Sequence, residues 1–206
     1  MTDHDRSANL WLRALVLAAL AAGGCSTPAP APRFHTLLPA PDAAPATPVA
    51  ATPGWDGLTV TVPPQVDRPQ WVVRSADGAL AVLDDERWAA PLAEEIAAAL
   101  SDRLRRAAPA TSLPAGAKPW RIAVDIQRFE SVPQGQARVD ADWSLRSAEG
   151  AATGWRCRGA FERPAGPSYV SLAQAHRDAL AQLGDAIARG LAAGLAGATA
   201  PVCAPG

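Results

Sequence analysis

The pattern of hydrophobic positions predicts a hairpin followed directly by a helix in residues 67–104. Apolar strands at residues 71–73 and 79–83 flank an Asp-Gly pair, residues 77–78, that suits a tight turn. The acidic run at residues 84–86 interrupts this pattern, so we interpret it as the end of the second strand and the lead-in to the helix. A hairpin followed by a helix that is apolar on one face indicates the centre of a hydrophobic core.

The helix is predicted to begin at Pro91, since proline suits the first helical position. Its apolar residues recur at every fourth position and form one stripe, which comprises Leu92, Ile96, Leu100 and Leu104. Glu94 and Glu95 lie near its start and arginines near its end, the charge order that the helix dipole favours.

Four further stretches alternate between apolar and polar residues and therefore predict half-buried strands. They lie at residues 58–62, 120–127, 136–146 and 155–162. The last three follow one another through turns or a loop, which predicts an antiparallel meander.

A second, longer helix is predicted after the meander, with Ser168 or Ser171 as its cap. Its apolar stripe comprises Leu172, His176, Leu180, Leu183, Ile187 and Leu191. Glycines weaken its C-terminal part, so we expect fraying beyond Leu191.

The order of these elements predicts an α+β fold of two layers, a mostly antiparallel sheet with two helices packed on one face. A single domain over residues 57–191 fits a chain of 206 residues that is 49% hydrophobic. Residues 192–206 are expected to form a flexible C-terminal tail. We expect one core between sheet and helices that includes Leu92, Ile96, Leu100, Trp143, Leu183 and Ile187.

Residues 1–24 have the pattern of a secretory signal, with arginines around a short apolar run and small residues before Cys25. The run is too short to span a membrane. A cysteine in this position resembles the bacterial lipobox. That resemblance implies cleavage between Gly24 and Cys25, diacylation of the Cys25 thiol and acylation of the new amino terminus, with palmitate as an expected chain. The alternative is ordinary signal cleavage that leaves Cys25 as a spare thiol.

Residues 25–56 are expected to form the acylated N terminus and a tether, because a sequence of repeated prolines and alanines cannot pack a core. Within it, residues 34–38 form an apolar island. We interpret this island as an edge strand that docks on the sheet.

The chain offers little that indicates catalysis or metal binding. A formal net charge of -1 gives no support for a nucleic-acid partner. The nucleotide-binding, serine-hydrolase and zinc-protease motifs are absent, and no histidine cluster suggests a metal, so we expect neither a cofactor nor an enzyme. His176 is interpreted as a core-boundary residue rather than a base. Asp125, Asp140 and Asp142 alternate with arginines on strands, so a solvated ion-pair surface is preferred to an acid/base site.

Residues 67–75, DRPQWVVRS, and 86–104, ERWAAPLAEEIAAALSDRL, resemble the signature region of the paraquat-inducible protein C family. Its members are ABC-type transport auxiliary lipoproteins of Gram-negative bacteria. The resemblance extends roughly from Arg33 to Leu191. Motif residues that either support the fold or form a partner-docking edge are Asp67, Arg68, Pro69, Trp88 and Pro91.

This resemblance implies a non-enzymatic lipoprotein of the outer membrane that faces the periplasm. It would work with membrane-spanning partners containing MCE (mammalian cell entry) domains, in moving lipids between membranes and in envelope integrity. Whether the protein forms a homo-oligomer stays open. The alternative is a periplasmic hydrolase, or another envelope-associated enzyme, with an unrecognised site.

Two cysteines remain once Cys25 is acylated, and the periplasm is oxidising. An even remainder in a secreted chain favours a bridge, so we hypothesise a disulfide between Cys157 and Cys203. The alternative is that Cys157 is a small buried hydrophobe and Cys203 a loose thiol.

Overall fold

The structure is a computed structural model that describes residues 31–39, 52–75, 77–107, 111–147 and 154–203. The predicted signal, Cys25 and most of the tether lie outside these residues. The elements follow in the order β1 (Arg33–His35), β2 (Trp55–Thr61), β3 (Gln70–Arg74), β4 (Leu80–Trp88), α1 (Leu92–Arg106), β5 (Trp120–Ser131), β6 (Gln136–Ser147), β7 (Gly154–Pro164) and α2 (Tyr169–Leu195). Among the helices described here, none is both long and apolar enough to cross a membrane.

The α+β class is confirmed, but the strands form two mixed sheets rather than one. One sheet has the order β1-β4-β3 and the other the order β2-β5-β6-β7. Strand β1 pairs parallel with β4, and β2 pairs parallel with β5, while the remaining pairs are antiparallel. Alternation marks which face of a strand is buried, but it does not specify the strand's neighbour or direction. Both edge strands were predicted, but their parallel pairing could not be read from the pattern.

The predicted meander is present as β5, β6 and β7, with each strand antiparallel to the next. Helix α2 packs on β6 and β7, and α1 packs on α2 and β2. All six residues expected in one core are buried and belong to one hydrophobic cluster. The helix–sheet layer was thus correctly predicted from the periodicity.

Strand β4 continues through the acidic run that we interpreted as its end. Its last residues include Glu86, which is 1% exposed, and Trp88. Glu86 is tolerated inside the strand because cationic and polar groups of β1 bind its carboxylate. Helix α1 then starts at Leu92 with Pro91 as its N-cap, one position earlier than expected for the proline.

Helix α2 runs to Leu195 instead of fraying beyond Leu191. A Cβ atom added to Gly194 would lie 2.6 Å from the Trp120 ring, so the glycine permits a close approach that stabilises this end. At the other end, Ser168 and Ser171 form a capping box. The segment after α2, expected to be a flexible tail, is fastened at Cys203 by a disulfide to Cys157.

Candidate functional site

A short segment within the predicted tether is bound by a buried carboxylate of β4. Glu86 Oε2 lies 2.6 Å from His35 Nε2, and Glu86 Oε1 accepts a hydrogen bond from the Arg33 guanidinium. This hydrogen bond raises the pKa of Arg33 above its ordinary value. Charge-assisted hydrogen bonds of this kind are stronger than neutral ones.

A second buried carboxylate, on α1, binds the next two residues of the same segment. Glu95 Oε2 accepts hydrogen bonds from Thr36 Oγ1 and from the Leu37 amide, each at 2.7 Å. Glu95 is 5% exposed and Leu37 is 1% exposed, so these bonds lie inside the protein. The carboxylate satisfies a backbone donor that would otherwise be buried without a partner.

Helix α2 supplies the third contact through Arg177. Its Nη1 donates to the Thr36 carbonyl at 2.9 Å, and its Nε and Nη2 donate to Gln174 Oε1. Burial lowers the pKa of Arg177. We call residues 33–37 with Glu86, Glu95 and Arg177 the β1 docking site.

An aromatic cluster lies beneath the β1 docking site and accounts for the motif residue Trp88. The Trp71 and Trp88 rings are 4.4 Å apart, and His35 meets Trp71 edge-on at 5.0 Å. Phe129 contacts Trp88 from β5. Trp88 is 3% exposed, so its position is that of a core residue at the end of the helix–sheet interface.

The other motif residues lie at the surface around this cluster. Asp67, Arg68 and Pro69 are exposed at the entry to β3, and the Pro69 carbonyl accepts a hydrogen bond from the Trp88 amide at 3.0 Å. Pro91 is exposed, and its carbonyl accepts from the Glu94 and Glu95 amides. The structure thus places Trp88 in the core and the other four motif residues on the surface.

The fold brings together a serine and a histidine that are far apart in the sequence. Ser131 Oγ lies 2.8 Å from His176 Nε2, and Trp71 Nε1 donates to the same Oγ at 2.8 Å. Ser131 is 1% exposed and His176 is completely buried, stacked on Phe129 with ring centroids 4.0 Å apart. His176 is therefore deeper than the core-boundary position that we predicted.

This serine–histidine pair lacks the other requirements of a nucleophile and its base. Among the described residues, no hydrogen-bond partner orients His176 Nδ1. Burial lowers the pKa of His176 to about 3, and a base of that strength is poorly matched to neutral pH. A substrate would also have to enter the aromatic cluster to reach Ser131 Oγ.

The strand carboxylates form a solvated ion-pair surface, as predicted. Asp125 lies opposite Asp142 in the register of β5 and β6. Arg158 binds Asp142 through two hydrogen bonds and lowers the pKa of that carboxyl. Asp140 pairs with Arg138. Within the described part of the chain, no group of three or more potential ligands could hold a metal ion.

The structure joins Cys157 of β7 to Cys203 in a disulfide, with Cα atoms 5.3 Å apart. Cys157 is 7% exposed and faces the helix layer.

Gly24 and Cys25, the predicted cleavage and acylation sites, lie outside the described residues.

Glu86 and Glu95 are the residues that sequence reasoning missed. Glu95 follows Leu92 by three positions and precedes Ile96, so it falls on the apolar face of α1. A charged residue on such a face is a signal for a buried partner. Glu86 gave no comparable signal, because it was read with the acidic residues beside it.

The model of a protein family, described as ABC-type transport auxiliary lipoprotein component, matches residues 35–188. A search of the curated proteins finds no match. The crystal structure of an uncharacterized protein superposes with a TM-score of 0.61 at 18% identity and covers 78% of this chain and 98% of its own. Protein XCC0632 from Xanthomonas campestris superposes with a TM-score of 0.53 at 21% identity and covers 83% of this chain and 99% of its own. These structures share the fold, and the match over residues 35–188 shows that the chain belongs to the family of ABC-type transport auxiliary lipoprotein components.

Proposed function

We propose that this protein is a non-enzymatic subunit of an intermembrane lipid-transport system, anchored to the outer membrane through acyl chains on Cys25 and facing the periplasm. Its partner is an MCE-domain protein, and the assembly contributes to envelope integrity. Family membership supports the transport-associated lipoprotein role. The resemblance of residues 67–104 to the paraquat-inducible protein C signature favours the MCE partner.

The observation that carries this proposal is the β1 docking site. Eight peptide steps separate Cys25 from Arg33, where docking begins. An extended chain covers at most about 3.5 Å per step, so the domain lies within about 28 Å of its anchor. A rigidly docked N-terminal segment favours a role in which the domain is held near the membrane and meets partners there.

The residues around the β1 docking site supply surface for such a meeting. Phe34 is 64% exposed beside the half-buried His35, and Leu38 is 40% exposed beside the buried Leu37. Serine rather than aspartate follows Cys25, which favours the outer membrane under the enteric sorting rule.

The hydrolase alternative has one observation in its favour, the 2.8 Å contact between Ser131 and His176. The burial of both side chains and the lowered pKa of His176 argue against it. Trp71, Ser131 and His176 are better explained as a hydrogen-bonded group that fixes three elements to one another.

Affinity purification of the tagged full-length protein from detergent-solubilised envelope tests the proposal. We expect an MCE-domain protein to co-purify, and a tagged lipoprotein of another family to leave it behind. Failure to recover it, together with hydrolysis that is lost in Ser131→Ala, would instead support the alternative.

A further inference from the structure

Strand β7 is the outer strand of the four-stranded sheet, and it is 11 residues long. The described residues place no strand beside its outer edge. An exposed edge strand is a template for pairing with another chain. Charges along β7 determine which chain can pair with it and in which register.

The solvent-facing side of β7 carries both signs of charge around a small central residue. Arg158 and Glu162 are exposed on either side of Ala160. Across the β6–β7 ladder, Arg158 lies opposite Asp142 and Glu162 lies opposite Arg138. Each forms an ion pair with its neighbour on β6.

We propose that a second copy of this chain pairs antiparallel with β7 about a two-fold axis at Ala160. Antiparallel pairing in this register places Arg158 of each copy opposite Glu162 of the other. The row of side chains across the two paired sheets then consists of Asp142 and Arg158 of one copy, followed by Glu162 and Arg138 of the other. Its charges alternate in sign, and opposite charges directly across a ladder stabilise pairing. The strand is thus self-complementary, as a two-fold interface requires.

The helix-facing side of β7 fits the same register. Gly159 would lie opposite Phe161 of the second copy. Within each chain the Phe161 ring already covers Gly159, because its Cζ lies 2.9 Å from where an added Cβ atom would stand, so no side chain at position 159 obstructs the pairing. The tail limits how far the pairing extends toward the start of β7, since Cys203 Sγ lies 3.5 Å from the Arg156 carbonyl oxygen. The segment around Ala160 lies beyond that contact.

Charge reversal tests the register directly. Arg158→Glu and Glu162→Arg each place like charges across both symmetric pairs, whereas the double variant restores opposite charges. The full-length lipoprotein is purified in detergent and its dimer dissociation constant is measured by sedimentation equilibrium. We expect each single variant to weaken the dimer at least roughly tenfold, and the double variant to return it to the wild-type range.

Far-UV circular dichroism of every variant checks that the fold is intact. Each reversal also places like charges opposite Asp142 or Arg138 within one chain. These groups lie at the surface, where solvent screens them, so the cost in stability is small. A wild-type protein that is monomeric at all concentrations overturns the proposal. So does a dimer that is indifferent to both single reversals.

Cross-linking in the native membrane gives an independent readout. Ala160→Cys places two thiols across the proposed axis, so mild oxidation should yield a covalent dimer. Ser144→Cys, on the same face but on the inner strand β6, is the matched control and should stay monomeric. A cross-link from position 160 only to a different envelope protein would show that another occupant holds this edge and would refute the second copy.

Discussion

Glu86 and Glu95 differ from the acidic residues beside them in the sequence, because their carboxylates are buried while those of Asp85 and Glu94 reach solvent. The difference arises from their partners. Each buried carboxylate accepts at least two hydrogen bonds from residues 33–37. These bonds offset the free-energy cost of removing a charged group from water. The docking of the N-terminal segment is therefore decided by individual polar contacts more than by the three-residue strand itself.

Replacement of Glu95 by alanine should loosen the β1 docking site. It leaves the Leu37 amide and Thr36 Oγ1 buried without their acceptor, at a cost of about 1–3 kcal/mol. Urea unfolding measures the loss of stability, and limited proteolysis should show faster cleavage near residues 36–39. Glu94→Ala is the matched control at an exposed position, with an expected change within about 0.5 kcal/mol. Equal effects of the two substitutions would contradict the assignment.

His176 should make the domain less stable as the pH falls. Burial lowers its pKa from 6.5 to about 3, so the unfolded chain binds a proton in this range that the folded chain does not. The stabilising contribution is complete above about pH 6.5 and decreases by about 1.4 kcal/mol per pH unit toward pH 3. Urea unfolding at a series of pH values should show this slope in the wild type and a shallower one in His176→Leu. An unchanged slope in the variant would mean that other groups control the acid response.

At the scale of elements, the two helices and the meander could be read from the sequence because one side of each is buried. The apolar stripes of α1 and α2 and the alternation in β6 correspond to observed burial. The parallel strands β1 and β2 could not be assigned to partners, since their pairing depends on contacts distant in the sequence. The end of α2 was misjudged because glycine propensity was considered without the Trp120 ring that packs against Gly194.

Ile96→Asp should unfold the domain. Ile96 is completely buried in α1, and an unpaired buried carboxylate costs several kcal/mol against a total stability of about 5–15 kcal/mol. Circular dichroism and thermal melting provide the measurement. Ile96→Val at the same position should cost only about 0.5–1.5 kcal/mol and keep the cooperative transition. A near-native melting temperature for the aspartate variant would refute the placement of α1.

The disulfide between Cys157 and Cys203 should leave no reactive thiol in the denatured, unreduced mature protein whose Cys25 is acylated. It closes a loop with a sequence separation of 46 residues, for which chain entropy gives roughly 3–4 kcal/mol. Cys203→Ser should therefore lower the melting temperature and expose one thiol, that of Cys157. Two thiols per wild-type chain would show that the cysteines are not bridged.

For the whole molecule, the order of signal, candidate acylation site, tether and domain is a prediction that rests on differences in composition along the chain. The sequence predicted that an edge strand at residues 34–38 docks on the sheet, but it did not reveal which side chains bind this segment. The structure supplies them, because Glu86, Glu95 and Arg177 bind residues 33–37. This placement brings the domain close to its anchor and makes acylation of Cys25 the central requirement of the account.

Intact mass spectrometry of the membrane-extracted protein tests that requirement most directly. We expect a polypeptide that starts at Cys25 and is heavier than its sequence by the mass of the acyl chains, and a Cys25→Ala variant that stays uncleaved or becomes soluble. An unmodified mass for the mature wild type, or unchanged processing and membrane partition of the variant, would contradict it.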